Sequence, residues 1–146
     1  KDSVEPFLAF DDKHTIMLAL TSNKGAFDFQ TKEIDGKEVY KHVLETSKSY
    51  TNSEQLMYVV GATKAEYLTD IRAIIPEAFL LVPGVGAQGG SLREVCKYGM
   101  TDDIGLLVNS SRGIIYNSQE EDFAIAARNV AQQMQEEMSE LILEHI

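Results

Sequence analysis

Short apolar runs alternate with amphipathic stretches along the whole chain, and this alternation limits the possible folds more than any other feature. Thr15-Ile16-Met17-Leu18-Ala19-Leu20, Leu56-Met57-Tyr58-Val59-Val60-Gly61, Phe79-Leu80-Leu81-Val82 and Gly105-Leu106-Leu107-Val108-Asn109 read as strands. Continuous apolar runs of this kind are typical of parallel sheets covered by helices, so the first is expected to be buried on both faces. Between and after them lie helical patterns. Lys37 to Ser49 places Val39, Tyr40, Val43 and Leu44 inward, and Lys64 to Ile75 is ended by Pro76. A third helix runs from the cap Ser91 through Tyr98 to a stop at Gly99, and a last one runs from about Gln119 to Ile146. Thr63 followed by Glu66 has the spacing of a capping box. Asp2 or Ser3 can cap a short opening helix to about Phe10, with Val4, Phe7 and Leu8 on one face. Strands separated by helices imply crossover connections and a parallel α/β sheet. About four such units are either half of a (β/α)₈ barrel or a small doubly wound sheet.

Charge and composition narrow the function classes. There are 13 Lys and Arg against 23 Asp and Glu, a net charge of −10. A broad nucleic-acid or anionic-membrane surface needs the opposite sign, although a small local anion site remains compatible. The last helix alone carries seven acids (Glu120, Glu121, Asp122, Glu136, Glu137, Glu140 and Glu144) against Arg128. A solvated outer face explains this better than an acidic docking surface. A lone cysteine, Cys96, rules out an intrachain disulfide and fits a packed thiol in a reducing, cytoplasmic setting. His14, His42 and His145 have no clustered partners, so neither a metal site nor a catalytic triad is supported. The start, Lys1-Asp2-Ser3-Val4, is neither a signal peptide nor an initiator Met, and the chain reads as cut from something longer.

The segment with most chemical content is Pro83-Gly84-Val85-Gly86-Ala87-Gln88-Gly89-Gly90, which holds four of the ten glycines between a strand and a helix. Glycine tolerates positive φ and close approach, so such a loop can aim several N–H groups at a phosphate, with the next helix adding its dipole. Gly84-x-Gly86-x-x-Gly89 also fits a dinucleotide fingerprint. The next strand, however, ends in Asn109-Ser110-Ser111 and offers no acid for a ribose diol. A second segment, Asn109-Ser110-Ser111-Arg112-Gly113-Ile114, sets a planar guanidinium beside an accessible backbone. Two successive strand ends of this composition resemble the phosphate site after strands 7 and 8 of many barrels. A third, Leu20-Thr21-Ser22-Asn23-Lys24-Gly25, has the donors and acceptors to read a polar heterocycle. By itself it is also ordinary turn chemistry. The stretch from Thr21 to Gly36 is longer than most βα connections, which favours a functional role. Tyr116 reads as a packing residue near the rim of the sheet.

Phe79 to Gly90, followed by Val108-Asn109-Ser110-Ser111-Arg112-Gly113-Ile114-Ile115-Tyr116, resembles the orotidine 5′-phosphate decarboxylase family, in particular its longer bacterial branch. Ala19 to Gly25 is similar to that family's fifth-strand segment. The likeness covers nearly all 146 residues, from the fourth barrel helix to the C-terminus. It implies the C-terminal half of a (β/α)₈ barrel, a single compact unit over residues 1–146 with the N-terminal half absent. It further implies a homodimeric, cofactor-free and metal-free carboxy-lyase that converts orotidine monophosphate to UMP and CO₂ for pyrimidine biosynthesis. On this resemblance Gln88 and Arg112 hold the substrate phosphate, with backbone N–H groups of Ser111 and Arg112. Ser22 faces the pyrimidine edge and Pro83 lines the base pocket, while Val85, Gly86, Ala87, Gly89 and Gly90 belong to the loop that closes over the substrate. The family's catalytic Asp-x-Lys-x-x-Asp motif is missing. Asp11-Asp12-Lys13 lacks the second Asp, precedes the first strand and reads as a turn. The chain alone is therefore expected to be catalytically silent, to require the other half of the barrel, and to self-associate through its open edges. Another phosphate-binding barrel isomerase or synthase, or a non-catalytic phosphate-ligand module, remains an alternative on the residues alone.

Overall fold

The computed structural model describes residues 1–86 and 89–146, apart from the Lys64 side chain. Its centre is a four-stranded sheet built from β1 (Thr15–Leu20), β4 (Leu56–Val60), β5 (Leu80–Pro83) and β6 (Leu106–Asn109), all parallel and adjacent in chain order. A small antiparallel pair, β2 (Glu33–Ile34) and β3 (Lys37–Glu38), lies in the long connection after β1. Its turn is Asp35-Gly36, with both residues at positive φ. This is the combination that matches a tight hairpin to strand twist. The helices are α1 (Ala26–Phe29), α2 (Val39–Ser47), α3 (Tyr67–Ile74), α4 (Leu92–Gly99), α5 (Arg112–Ile115) and α6 (Phe123–His145).

One face of the sheet carries the core. Tyr58, Leu80 and Leu106 form a row across β4, β5 and β6, and all three are buried. Helices α2, α3 and α4 cover this face through Tyr40, Leu44, Leu68, Ile71, Leu92 and Val95. Ser47 on α2 is wholly buried but satisfied, since it donates to the Leu44 carbonyl at 2.9 Å and shares a 2.8 Å hydrogen bond with the Tyr58 hydroxyl. The opening segment, a 3₁₀ turn over Glu5–Ala9, closes the same core with Leu8. It is held by Asn52, which donates to the Leu8 carbonyl at 2.9 Å, and by Glu5, which accepts from Thr51.

The opposite face is uncovered. Leu18, Val59, Leu81 and Leu107 pair strand to strand in one row, and Leu18 and Leu107 remain 56% and 46% exposed. The expectation that Thr15–Leu20 is buried on both faces is therefore corrected. Ile16 and Leu18 are exposed because helices of this chain cover only the other face. In a closed barrel this row would point inward, against side chains from the remaining strands.

Several local expectations also shift. Thr63 does not cap α3, which begins at Tyr67 after a 3₁₀ turn over Ala62–Lys64; instead the Thr63 hydroxyl donates to the Ser22 carbonyl at 3.3 Å. The opening turn has Val4 at its cap position, with no side-chain cap from Asp2 or Ser3, and Phe7 is exposed. Tyr116 is 68% exposed and does not pack. Other readings hold. The Ser91 hydroxyl accepts from the Glu94 N–H, Cys96 is buried with its pKa raised by that burial, and Asp11-Asp12 is a turn with Lys13 ion-paired to Asp12. The seven acids near and on α6 are all exposed, as a solvated face requires.

Arg72 organises the edge of the sheet where the strands begin. Its guanidinium donates to the carbonyls of Ala78 at 2.6 Å, Gly99 at 2.8 Å and Gly105 at 3.0 Å. These groups lead out of α3, end α4 and precede β6. Burial pushes the guanidinium down to about 10, so it stays charged at neutral pH.

An uncovered apolar row between two unpaired strand edges is an aggregation and association surface. The 146-residue chain should sediment as a dimer or larger species, and Leu107→Lys should shift it towards monomer. A wild-type chain that stays monomeric at high concentration would contradict this.

Candidate functional site

All four large strands end at the same edge, and the three chemically distinctive segments follow three of those ends. Pro83 is paired with Asn109 across β5 and β6, on the same face as the Leu81–Leu107 pair. That register brings the glycine-rich loop and the Ser-Ser-Arg-Gly segment side by side. Pro83, Gly84, Val85, Asn109, Ser110, Ser111 and Arg112 line one cleft of about 230 Å³. Its walls are polar in character. The Ser111 hydroxyl donates to the Asn109 side-chain carbonyl at 3.1 Å, and both residues are exposed. The Arg112 guanidinium is exposed and ion-pairs with no acid among the described residues. The N–H groups of Ser111 and Arg112 donate to no main-chain carbonyl among the described residues. An exposed planar cation beside open N–H donors is a suitable receptor for an oxyanion.

The glycine-rich loop is built on backbone conformations that side chains resist. Gly84, Gly86 and Gly89 all have positive φ. Gly90 is required for a different reason, since a Cβ there would lie 2.5 Å from the Ala62 Cβ and 2.8 Å from the Gly84 carbonyl. The base of the loop is pinned. Val85 is buried and bridges to Gly90, Gly86 N–H donates to the Gly90 carbonyl at 3.0 Å, and Gly90 N–H donates to Gly84 at 3.1 Å. Gly86 and Gly89 are exposed at the tip. Ala87 and Gln88 lie outside the described residues.

Ser22 lies apart from this cleft, at the end of β1. Leu20, Thr21, Ser22, Asn23, Gly61 and Tyr67 are among the residues around a small hollow of about 30 Å³. Two intervening strands separate this hollow from Arg112. At about 4.8 Å per strand the separation is roughly 14 Å along the edge, which barrel curvature shortens. The structure thus groups Pro83, Ser111 and Arg112 together and sets Ser22 at the far end of the same rim. Gln30 was not legible as a site residue. Its side-chain carbonyl accepts from Thr21 N–H at 2.7 Å and from the Thr21 hydroxyl at 3.2 Å, a contact across nine positions that no local pattern signals. No group of His, Cys, Asp and Glu among the described residues could hold a metal ion.

A one-sided parallel sheet with clefts at the carboxyl ends of its strands is the architecture of part of an α/β barrel. Over nearly its whole length the chain is homologous to the orotidine 5′-phosphate decarboxylases. It is 71% identical over 142 residues to that of Flavobacterium johnsoniae, covering 97% of this chain and 52% of the relative. Against the orotidine 5′-phosphate decarboxylase of Bacteroides fragilis it is 57% identical over 141 residues, with 96% and 52% covered. The chain spans about half the length of the curated relatives it matches. Among solved structures it superimposes on Leishmania donovani UMP synthase with a TM-score of 0.76 at 35% identity, covering 92% of this chain and 30% of that one. Leishmania donovani OMP decarboxylase gives a TM-score of 0.74 at 32% identity, with 92% and 52% covered. No family model matches the chain. Among the described residues no helix is long and apolar enough to cross a membrane.

The Ser22 end of the rim depends on Gly61. A Cβ there would lie 2.4 Å from the Ser22 nitrogen and 2.6 Å from its Cα, both main-chain atoms. Gly61→Ala should destabilise the fold by about 1–3 kcal/mol through overpacking, read as a lower urea midpoint, and should displace the Ser22 segment. An unchanged midpoint would show that the β1 and β4 ends have slack.

Proposed function

We propose that this chain is the C-terminal, substrate-phosphate-binding half of an orotidine 5′-phosphate decarboxylase, the lyase that releases CO₂ from orotidine monophosphate to give UMP. The observation that carries this reading is the Pro83–Asn109 register, which sets the glycine-rich loop beside Arg112 in one cleft. Arg112 and the side chain of Gln88 bind the phosphate oxygens, assisted by the N–H groups of Ser111 and Arg112. Pro83 lines the base pocket and Ser22 reads the pyrimidine edge. The loop of Val85, Gly86, Ala87, Gln88, Gly89 and Gly90 closes over the substrate. Its base is pinned at Val85 and Gly90, and Gly86 and Gly89 beyond that base are exposed.

In this reading phosphate binding does more than raise affinity. The phosphate is remote from the bond that breaks, and its binding energy can organise the reacting centre and exclude water, so it acts on rate. The bond between the ring and the carboxylate breaks, the electron pair stays on the ring carbon, and a proton must then be delivered to that carbon. The lysine and aspartates that resemblance assigns to proton delivery are absent from this sequence. The partner is therefore the N-terminal half of the same barrel, which would cover the Leu18–Val59–Leu81–Leu107 row and supply those groups. The assembled enzyme is a cytoplasmic homodimer that uses no cofactor.

Two outcomes test the proposal. Arg112→Ala should weaken UMP binding by roughly 1.5–3 kcal/mol in calorimetry, the scale of a charge-assisted hydrogen bond. Equal affinity in the two proteins would remove Arg112 from the site. The purified chain should form no UMP from orotidine monophosphate above the uncatalysed background. Measurable turnover by the chain alone would require a proton donor within these residues.

A further inference from the structure

The Ser22 end of the rim is held from outside the site by one side chain that belongs to no recognised motif. Gln30 is the C-cap of α1, and its backbone is fixed at both ends. Its N–H donates to the Ala26 carbonyl at 2.8 Å, and its carbonyl accepts from Tyr40 N–H at 2.9 Å, where Tyr40 is wholly buried in the first turn of α2. From this mount the side-chain carbonyl accepts both the N–H and the hydroxyl of Thr21. Thr21 is the first residue beyond β1, where regular pairing ends: the last bond of that edge runs from Gly61 N–H to the Leu20 carbonyl at 2.8 Å. The Thr21 N–H belongs to the same trans peptide as the Leu20 carbonyl and points the opposite way, so Gln30 holds the end of β1 from the side that faces away from β4. The next residue, Ser22, has its carbonyl held by Thr63 and its backbone pressed against Gly61. Gln30, Thr63 and Gly61 thus each bear on the direction of the chain through Thr21 and Ser22, and of these three Gln30 stands outside the lining of the hollow.

We infer that Gln30 is a positioning residue for recognition of the base, acting through Thr21 on Ser22 and having no part in holding the phosphate. The inference rests on the reading of Ser22 as the pyrimidine contact. A ligand with a base should feel the change at Gln30, and a bare anion at Arg112, beyond two intervening strands, should not. The acceptor is what matters, so a side chain that keeps two oxygen lone pairs at the same reach should substitute for it.

The test compares the wild-type chain with Gln30→Leu, Gln30→Glu and Arg112→Ala, using UMP and inorganic phosphate as calorimetric probes. Gln30→Leu should weaken UMP binding by about tenfold, the effect of losing hydrogen bonds at one site. Phosphate binding should stay within about twofold, as for a distant and uncoupled position. Gln30→Glu should restore most of the UMP affinity, because its carboxylate still accepts from Thr21. UMP affinity unchanged in Gln30→Leu would overturn the inference. So would an equal loss for UMP and phosphate, which marks a merely structural role, or a Gln30→Glu variant as weak as Gln30→Leu. If Arg112→Ala weakens UMP while Gln30→Leu does not, the phosphate reading survives and only the role of Gln30 fails. If wild type binds neither probe, the phosphate reading fails and takes this inference with it.

Discussion

Parallel pairing makes every strand of a sheet finish at the same edge, and the rest of this molecule depends on that constraint. An antiparallel sheet would have sent Pro83 and Asn109 to opposite ends. Here the β5–β6 register places them opposite one another, and the loops that follow have no other place to go. The same pairing fixes side-chain direction. Leu81 and Leu107 lie two residues before Pro83 and Asn109, so the residues at the mouth of the cleft share a face with the uncovered apolar row. Site and open face are therefore one surface, polar at its rim and apolar below.

That surface also explains which parts of the fold were legible in the sequence. The strands were, because an unbroken run such as Leu56 to Val60 permits little else. What covers each face was not. Leu18 and Ala19 are both apolar, and nothing in their order says that one is buried against helices while the other is exposed. Caps divided along the same line. Ser91 works as a cap because its extended backbone and its partner Glu94 are local. Thr63 fails because a carbonyl 41 positions away, that of Ser22, takes its hydroxyl. The Asp35-Gly36 hairpin carried a clear signal within a stretch that reads only as a long polar loop.

The site divides in a comparable way. The glycines and Arg112 are conspicuous by type and spacing, and the structure brings their segments into one cleft. Ser22 is conspicuous only through resemblance, since Thr, Ser and Asn after a strand are common turn residues. Gln30 is invisible in the sequence, because its role comes from the fold of the excursion that carries it back to β1.

Arg72 gives the molecule a second pole. It gathers carbonyls from the ends of α3 and α4 and from the start of β6, at the edge opposite the cleft. The connections there are tied to a half-buried cation. The connections at the cleft are pinned at their base, through buried Val85 and Gly90, and expose Gly86, Gly89, Ser111 and Arg112 beyond it. The fold is therefore moored at both ends of its strands: at one by a guanidinium that gathers carbonyls, at the other by Gly61 and Gly90, whose places a side chain could take only by displacing its neighbours.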